Sequence, residues 1–364
     1  MIPEGMRYID EFRDSALVSN ISRKIGLISE KQINLMEVCG GHTMAIHKNG
    51  LTDFLPETIH LLSGPGCPVC VSSQQCIDHA ILLGRIPGVI LATYGDLIRV
   101  PGSQTSLEKE KARYADIRIV YSVLDALEIA RLNRNHRVVF IGIGFETTAP
   151  SSAAAILQAG KDRINNFFLL SSHKIMPPAL ETLAAGDTQI DGFIAPGHVS
   201  AITGYGIYNK LSEVYHRGVV ISGFEPADIL QSVFMLVKQI ESGHFQVENE
   251  YTRIVKPEGN SRALAIMNEV FVPADAEWRG LGIVPLSGLA IKEKYAAFDA
   301  SKRFTVKVPD SLPPAGCICG EILTGKSKPT DCNLFSATCN PLNPVGACMV
   351  SAEGACSVFY KFMK

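Results

Sequence analysis

The chain has 364 residues, of which 46% are apolar and 19% charged, a balance that is typical of globular proteins and excludes wholesale disorder. At roughly 150 residues per domain, this length predicts about two to three domains. Lys and Arg total 34 and Asp and Glu 36, which gives a net charge of −2. The chain therefore lacks the excess of positive charge that a large nucleic-acid-binding surface requires. No apolar run approaches the roughly 18 residues of a membrane span, and the acidic N-terminus lacks a signal segment. We therefore expect an unprocessed cytoplasmic protein that binds neither nucleic acid nor membranes.

From about residue 33 to 240, short β-branched runs end in glycine-rich turns and are followed by amphipathic helical stretches. The predicted strands are 33–38, 59–63, 89–93, 117–121, 138–142, 167–171, 190–195 and 219–222. Such alternation predicts a parallel sheet covered by helices. Eight units fit a (β/α)₈ barrel, and two doubly wound domains of about four strands each fit equally well. The pattern alone leaves both folds open.

The loops after these strands are rich in ionisable residues. In either fold they lie at the carboxyl edge of a sheet, where functional groups gather. The candidate residues in them are Cys39 and His42 (CGGH), Cys67 and Cys70 (GPGCPVC), Asp96 (YGD), Glu146 and Thr147 (GFETTAP) and His198 (PGHVS). Glycines beside them let the backbone approach a ligand closely, so the loops indicate a site and not only turns.

The ten cysteines form two groups, at positions 39, 67, 70 and 76 and at positions 317, 319, 332, 339, 348 and 356. In a reducing cytosol this grouping favours metal or redox chemistry over disulfides. Cys39 is expected to face free backbone N–H groups at a helix start, which lowers a thiol pKa and favours the metal-binding thiolate. His42 is a candidate second ligand, acid/base or hydrogen-bond donor.

The single Cys-x-x-Cys, Cys67 and Cys70, fits either a redox pair or half a zinc site, and the absence of a second such pair favours redox. The cysteine-rich tail has little regular pattern and too few apolar residues to form its own core. We therefore expect a bound metal ion or cluster to stabilise it. Its wide, unequal spacing favours an iron–sulfur cluster over zinc but does not select four ligands from six cysteines. A free-standing thiol–disulfide oxidoreductase and a zinc-stabilised binding module are therefore alternatives that the residues leave open.

Nine motifs in this order, MEVCGGHT, GPGCPVCV, YGDLIRVPG, GFETTAP, APGHVSAITG, GFEPADILQ, EWRGLG, CGEILTGK and EGAC, resemble the HypD family of [NiFe]-hydrogenase maturation factors. The resemblance covers essentially the whole chain, from about residue 7 to 360. It implies a scaffold with redox activity that assembles the Fe(CN)₂CO group of the hydrogenase, together with the chaperone HypC and the cyanide donor HypE, and that is monomeric alone.

The resemblance also implies residue roles. Cys39 would hold the iron together with a cysteine of HypC, Cys67 and Cys70 would form the redox pair, and a [4Fe–4S] cluster would be bound by Cys319, Cys332, Cys339 and Cys356. The cleft would be lined by His42, Asp96, Glu146, Thr147 and His198. The implied fold is α/β, with two doubly wound parallel-sheet domains at 31–115 and 116–242. An irregular cluster domain would combine 1–30 with 243–364 and pack the N-terminal helices against the tail.

Overall fold

The computed structural model describes residues 10–186 and 188–363. The α-helices are α1 Ser15–Ile28, α2 Gly40–Lys48, α3 Pro68–Val71, α4 Gln74–Gly84, α5 Leu107–Ala112, α6 Val123–Leu132, α7 Ala149–Lys161, α8 Met176–Ala185, α9 Gly197–Thr203, α10 Asn209–Glu213, α11 Pro226–Ser242, α12 Ser261–Val270, α13 Ala300–Arg303, α14 Cys319–Leu323, α15 Ala347–Val350 and α16 Ala355–Phe362. Short 3₁₀ helices lie at Asp10–Arg13, Leu51–Phe54, Gly95–Arg99, Gly206–Tyr208, Glu293–Phe298 and Pro329–Asp331. Within the described residues, no helix is both long and apolar enough to cross a membrane.

The strands are β1 Ile33–Glu37, β2 Ile59–Ser63, β3 Val89–Thr93, β4 Ile117–Ile119, β5 Arg137–Gly144, β6 Phe167–His173, β7 Gly192–Pro196, β8 Gly218–Ser222, β9 Val247–Asn249, β10 Phe271–Trp278 and β11 Gly282–Ile291. They form two open parallel sheets, a first sheet in the order β2-β1-β7-β8-β9 and a second in the order β4-β3-β5-β6. β10 and β11 pair as an antiparallel hairpin. The α/β prediction and all eight predicted strands are confirmed, and two open sheets replace the barrel alternative.

Alternate residues along each strand face different apolar cores. In β5, Val139 and Ile141 lie in a central core that also receives Phe193 of the first sheet, while Val138 and Phe140 face a separate outer core. Ile194, between two inward residues of β7, faces a third core on the far side of the first sheet. The inner strands β5 and β7 are thus apolar on both faces, which is typical of buried parallel sheets.

The predicted domain boundary at residue 115 is wrong, because both sheets cross it. β3 pairs with β4 and β5, which follow that boundary. β1 pairs with β7, placing Leu35 opposite Gly192. Hydrophobic periodicity reports which segments are strands, whereas the choice of neighbours is set by crossover connections that periodicity does not encode.

The chain ends do not form one separate unit either. α1 packs against α11 through Val18, Ile21 and Ile25, because this apolar stripe matches the outer face of the first sheet, so its predicted packing against the tail is wrong. β9 joins the first sheet and α12 packs on α7 beside the second. The part of the predicted unit at residues 1–9 lies outside the described residues.

Candidate functional site

Three neighbouring strands of the first sheet deliver the thiols and imidazoles to one edge. β1 ends just before Cys39, β2 leads into the loop carrying Cys67, and β7 leads into α9, which carries His198. Because parallel strands end at the same edge, these three loops meet. The Nδ1 atom of His198 lies 3.8 Å from the Sγ atom of Cys39. Cys39 itself is only 3% exposed, whereas His198 is exposed.

His42 lies in the first turn of α2, fully buried and stacked on Phe224 with ring centroids 4.7 Å apart. Its Nε2 lies 2.9 Å from the carbonyl oxygen of Gly223, and since a carbonyl only accepts, Nε2 carries the proton. Burial lowers the pKa of His42 to about 4, so the ring is neutral near pH 7. Its buried Nδ1 has no hydrogen-bond partner among the described residues. His42 therefore offers an unused acceptor lone pair at the site.

The thiol of Cys39 is harder to ionise than the sequence predicts. Burial, reinforced by the nearby carboxyl of Glu37, raises the pKa of Cys39 to about 12, although the backbone N–H groups of Gly41 and His42 oppose this rise. The expected lowering of this pKa is wrong, because desolvation outweighs the helix start. Burial also raises the pKa of Glu37 to about 8. A bound cation would supply the charge that the thiolate needs.

Two glycines allow close packing around Cys39. A Cβ atom on Gly66 would lie 2.2 Å from the backbone nitrogen of Cys39, so the loop that precedes Cys67 fits against Cys39 only with glycine there. A Cβ atom on Gly40 would lie 2.5 Å from the Cβ of Glu353, which follows α15. The glycines of CGGH and GPGC are therefore contact points between the three cysteine-bearing segments.

Cys67 and Cys70 form a buried pair at the start of α3. Their Sγ atoms lie 2.7 Å apart, longer than the roughly 2.05 Å of a disulfide, so both are free thiols. The backbone N–H of Cys70 also donates to the Sγ of Cys67, at 3.3 Å. The two residues are 3% and 0% exposed. Burial raises the pKa of Cys70 well above its ordinary value.

The tail brings all six of its cysteines to one small cavity, lined by Cys317, Cys319, Cys332, Cys339, Cys348 and Cys356 together with Ile322, Leu334, Phe335 and Met349. Cys348 lies between the Cys67–Cys70 pair and the other cysteines of the tail. Its Sγ lies 2.7 Å from that of Cys319, and its thiol lies near those of Cys70 and Cys356. Cys67, Cys70, Cys348 and Cys319 thus form a row of neighbouring thiols from the Cys-x-x-Cys pair into the tail.

This donor set fits an iron–sulfur cluster in number and in chemical type, since such clusters are held by four thiolates in surroundings like this apolar pocket. All four cysteines that the sequence resemblance implies as ligands line the cavity, and Cys317 and Cys348 line it as well. Because the sulfurs of Cys319 and Cys348 are in contact, they would have to separate before both could bind different irons. No group of three or more described His, Cys, Asp or Glu side chains is arranged to hold a single metal ion.

Glu146 and Thr147 lie on the second sheet, in the turn between β5 and α7. Glu146 is 3% exposed, and its Oε1 accepts a hydrogen bond of 2.8 Å from the backbone N–H of Met176. Its buried Oε2 has no partner among the described residues, and burial raises the pKa of Glu146 to about 7. Burial, with smaller contributions from Glu146 and Cys39, raises the pKa of the Tyr208 hydroxyl, so both side chains lie within electrostatic range of Tyr208. Thr147 is half-buried.

Asp96 connects to the site through the tail. It is exposed in the 3₁₀ helix after β3, and its Oδ2 accepts a hydrogen bond of 3.2 Å from the hydroxyl of Ser351. Asp96 also acts on the carboxyl of Glu353, and burial with this neighbouring charge raises the pKa of Glu353. Glu353 in turn acts on Cys39.

Sequence reasoning missed four contributors: Glu37, Tyr208, Cys348 and Glu353. Glu37 and Glu353 stand inside motifs quoted for the resemblance, MEVCGGHT and EGAC, so closer attention to their carboxylates could have found them. Tyr208 gives no signal, because nothing local marks a buried tyrosine as close to a distant thiol. Cys348 was visible as a cysteine, but spacing alone does not rank it among six.

Comparison with known proteins agrees with this architecture. The family model named HypD, described as the hydrogenase formation hypA family, matches residues 15–363. A putative hydrogenase expression/formation protein of Methanocaldococcus jannaschii is 46% identical over 353 residues, which is 96% of this chain and 98% of that protein.

Two bacterial relatives are similar over the same extent. The hydrogenase maturation factor HypD of Azotobacter vinelandii is 44% identical over 98% of this chain and 97% of its own length. The protein of that name from Escherichia coli is 44% identical over 98% of each chain. By family, this α/β protein is a hydrogenase maturation protein. The chain belongs to the HypD family of hydrogenase maturation factors, which confirms the resemblance stated above.

Proposed function

We propose that this protein is the scaffold and redox relay on which the Fe(CN)₂CO group of [NiFe]-hydrogenase is assembled. It works in complex with HypC and receives cyanide from HypE. The observation that carries the proposal is the row of neighbouring thiols that runs from Cys67 and Cys70 past Cys348 into the tail. An assembly scaffold needs a soft ligand for its cargo and a source of electrons beside it, and this site offers both.

Cys39 is the proposed ligand of the cargo iron. A thiolate suits a low-spin iron that carries cyanide and carbon monoxide, because all three are soft ligands. Iron binding would displace the Cys39 proton, which burial otherwise retains. The neighbouring His198 is exposed, so the cargo would enter and leave on that side, where HypC contributes its own cysteine. The free Nδ1 of His42 is available to accept a hydrogen bond there.

Cys67 and Cys70 are the proposed electron donors. On forming a disulfide, the pair releases two electrons and two protons, and returning it to the dithiol requires both again. A [4Fe–4S] cluster held by Cys319, Cys332, Cys339 and Cys356 would supply those electrons one at a time. Cys348, which lies near Cys70 and Cys356 and in contact with Cys319, would connect the two groups.

The test is Mössbauer and infrared spectroscopy of iron-57-labelled protein, prepared anaerobically after co-expression with HypC. We expect cluster iron plus a separate low-spin iron with cyanide and carbonyl stretches. Cys39→Ala should lose only the second signal, while Lys48→Ala, an exposed change on the same helix, should keep both. Diatomic bands that survive in Cys39→Ala would refute the role of Cys39, and their absence from every preparation would refute the scaffold.

The second candidate, a general thiol–disulfide oxidoreductase, finds less support. A protein disulfide must reach the attacking sulfur, but Cys67 and Cys70 are almost fully buried. Catalysis of insulin reduction by the isolated protein, lost in Cys67→Ser, would favour this candidate. We expect no such activity above that of the Cys67→Ser variant.

A further inference from the structure

A second cavity, of about 420 Å³, lies apart from the thiol row. Its walls are the carboxyl end of β6, the first turns of α4 and the β10–β11 hairpin. The side chains that line it include Lys174, Cys76 and His79, with the acidic residues Asp275, Glu277 and Asp299. Neither the proposed scaffold nor the proposed relay uses these residues.

Lys174 is the unusual member of this cavity. It is only 5% exposed, yet within the described residues its ammonium makes no hydrogen bond and no ion pair. Its nearest recorded side-chain contact is the ring of Trp278, whose centroid lies 6.0 Å away. The backbone is fixed, because the Lys174 N–H donates to the carbonyl of Gly144. The Nζ is not one of the fully enclosed polar atoms of the described residues, so it faces the cavity, where an anion can compensate its charge.

The remaining groups limit the charge that the cavity accepts. Asp275 accepts a hydrogen bond from the backbone N–H of Leu286, and Asp299 accepts from the N–H and hydroxyl of Ser301, so both are used within their own loops. Glu277 is the remaining acidic side chain of the lining, and it acts on Lys174 from a distance. A single ammonium among these acidic side chains can attract an anion with one negative charge. The acidic side chains would repel a polyanion such as a nucleotide phosphate.

Two further features favour an anion near Lys174. Ser73 caps the start of α4, so the positive end of that helix and its first N–H groups lie at the cavity wall. The half-buried thiol of Cys76 lies near both Ser172 and Lys174. The Nε2 of His79, buried and without a partner among the described residues, can donate or accept.

We propose that this cavity binds a small monovalent anion, of the size and chemistry of a carboxylate, through the ammonium of Lys174. The proposal does not depend on the scaffold function. It predicts that the site discriminates by charge and by size, and that Glu277 weakens binding by its own charge.

The test uses trifluoroacetate as the probe, observed by fluorine NMR during titration of the purified full-length protein at constant ionic strength. We expect saturable binding that Lys174→Met weakens by about tenfold or more, the loss typical of one charge-assisted hydrogen bond. Lys174→Arg should retain binding, and Lys238→Met, an exposed change on α11, should leave it unchanged. Acetate and formate should compete, whereas inorganic pyrophosphate should not.

Lys174→Met should fold, because it removes an uncompensated ammonium and keeps the length of the side chain. Glu277→Gln, at a partly exposed position, is the independent variant, and it should bind the probe several-fold more tightly. Absence of saturable binding to the wild type would overturn the proposal. So would an affinity that Lys174→Met leaves intact, or one that Glu277→Gln fails to raise.

Discussion

Glu146 makes the stability of this protein depend on pH in a predictable direction. Its carboxyl is buried, with one oxygen bonded to the N–H of Met176 and the other without a partner, and its pKa rises from an ordinary value near 4.5 to about 7. Below pH 4.5 the carboxyl is protonated in both the folded and unfolded chains. Between pH 4.5 and 7 only the folded chain keeps the proton, so stability falls as pH rises through this window.

The size of this effect follows from the two pKa values. Since each tenfold change in proton activity corresponds to about 1.4 kcal/mol, the fold loses about 2–3 kcal/mol of stability between pH 5 and pH 8 as Glu146 gives up its proton. Glu146→Gln keeps an acceptor for the N–H of Met176 but has no proton to lose. Relative to the wild type, the variant should therefore gain about 2–3 kcal/mol of stability between pH 5 and pH 8.

Anaerobic urea unfolding at both pH values measures this difference. Thr147→Val is the matched control, since it changes the adjacent residue without altering a titratable group, and its effect on stability should be the same at pH 5 and pH 8. The reasoning is refuted if the free-energy difference between Glu146→Gln and the wild type stays constant, within about 0.5 kcal/mol, across this range.

Three further changes test other parts of the structure. Gly40→Ala forces a Cβ into a neighbouring segment and should cost about 1–3 kcal/mol in urea unfolding, while Gly206→Ala, which meets open space, should change stability by less than about 0.5 kcal/mol. Asp228→Asn weakens the salt bridge in which the Arg253 guanidinium donates two hydrogen bonds to the buried Asp228 carboxylate, and it should cost about 3–5 kcal/mol in urea unfolding. If Asp228→Asn costs just as much in a protein that already carries Arg253→Met, the pairing is contradicted. Cys348→Ala should slow reduction of the oxidised Cys-x-x-Cys pair by dithionite in stopped-flow measurements, and an unchanged rate would rule out the relay.

The strands that sequence predicts correctly are those that local chemistry defines. β1 to β8 are apolar runs closed by glycine or polar turns, and burial on both faces makes each run continuous. The hairpin is not predicted, because Pro273 and Pro285 lie within β10 and β11 and interrupt the local sequence pattern. In a two-stranded sheet every strand is an edge, and a proline whose missing N–H faces outward is tolerated there.

The sequence predicts which residues form the site, but not all of the contacts that they make with one another. Placing Cys39, Cys67 and His198 at strand ends follows from the alternating pattern, and their meeting follows from the neighbouring positions of β2, β1 and β7. The sign of the Cys39 pKa shift was not predictable, since it depends on how much protein covers the thiol. The position of Cys348 between the pair and the tail is a tertiary contact between α3 and α15, which no spacing rule encodes.

Burial of the redox pair bears directly on which chemistry this site supports. A general oxidoreductase exposes its attacking sulfur, whereas here Cys70 is fully buried and lies near another protein thiol, Cys348. Electrons would therefore reach the pair from inside the molecule and not from a passing disulfide. The exposed His198 beside Cys39 is the side that faces outward. An entry for electrons through the tail, separate from an entry for cargo at Cys39, favours the scaffold over the oxidoreductase, because only a scaffold needs both.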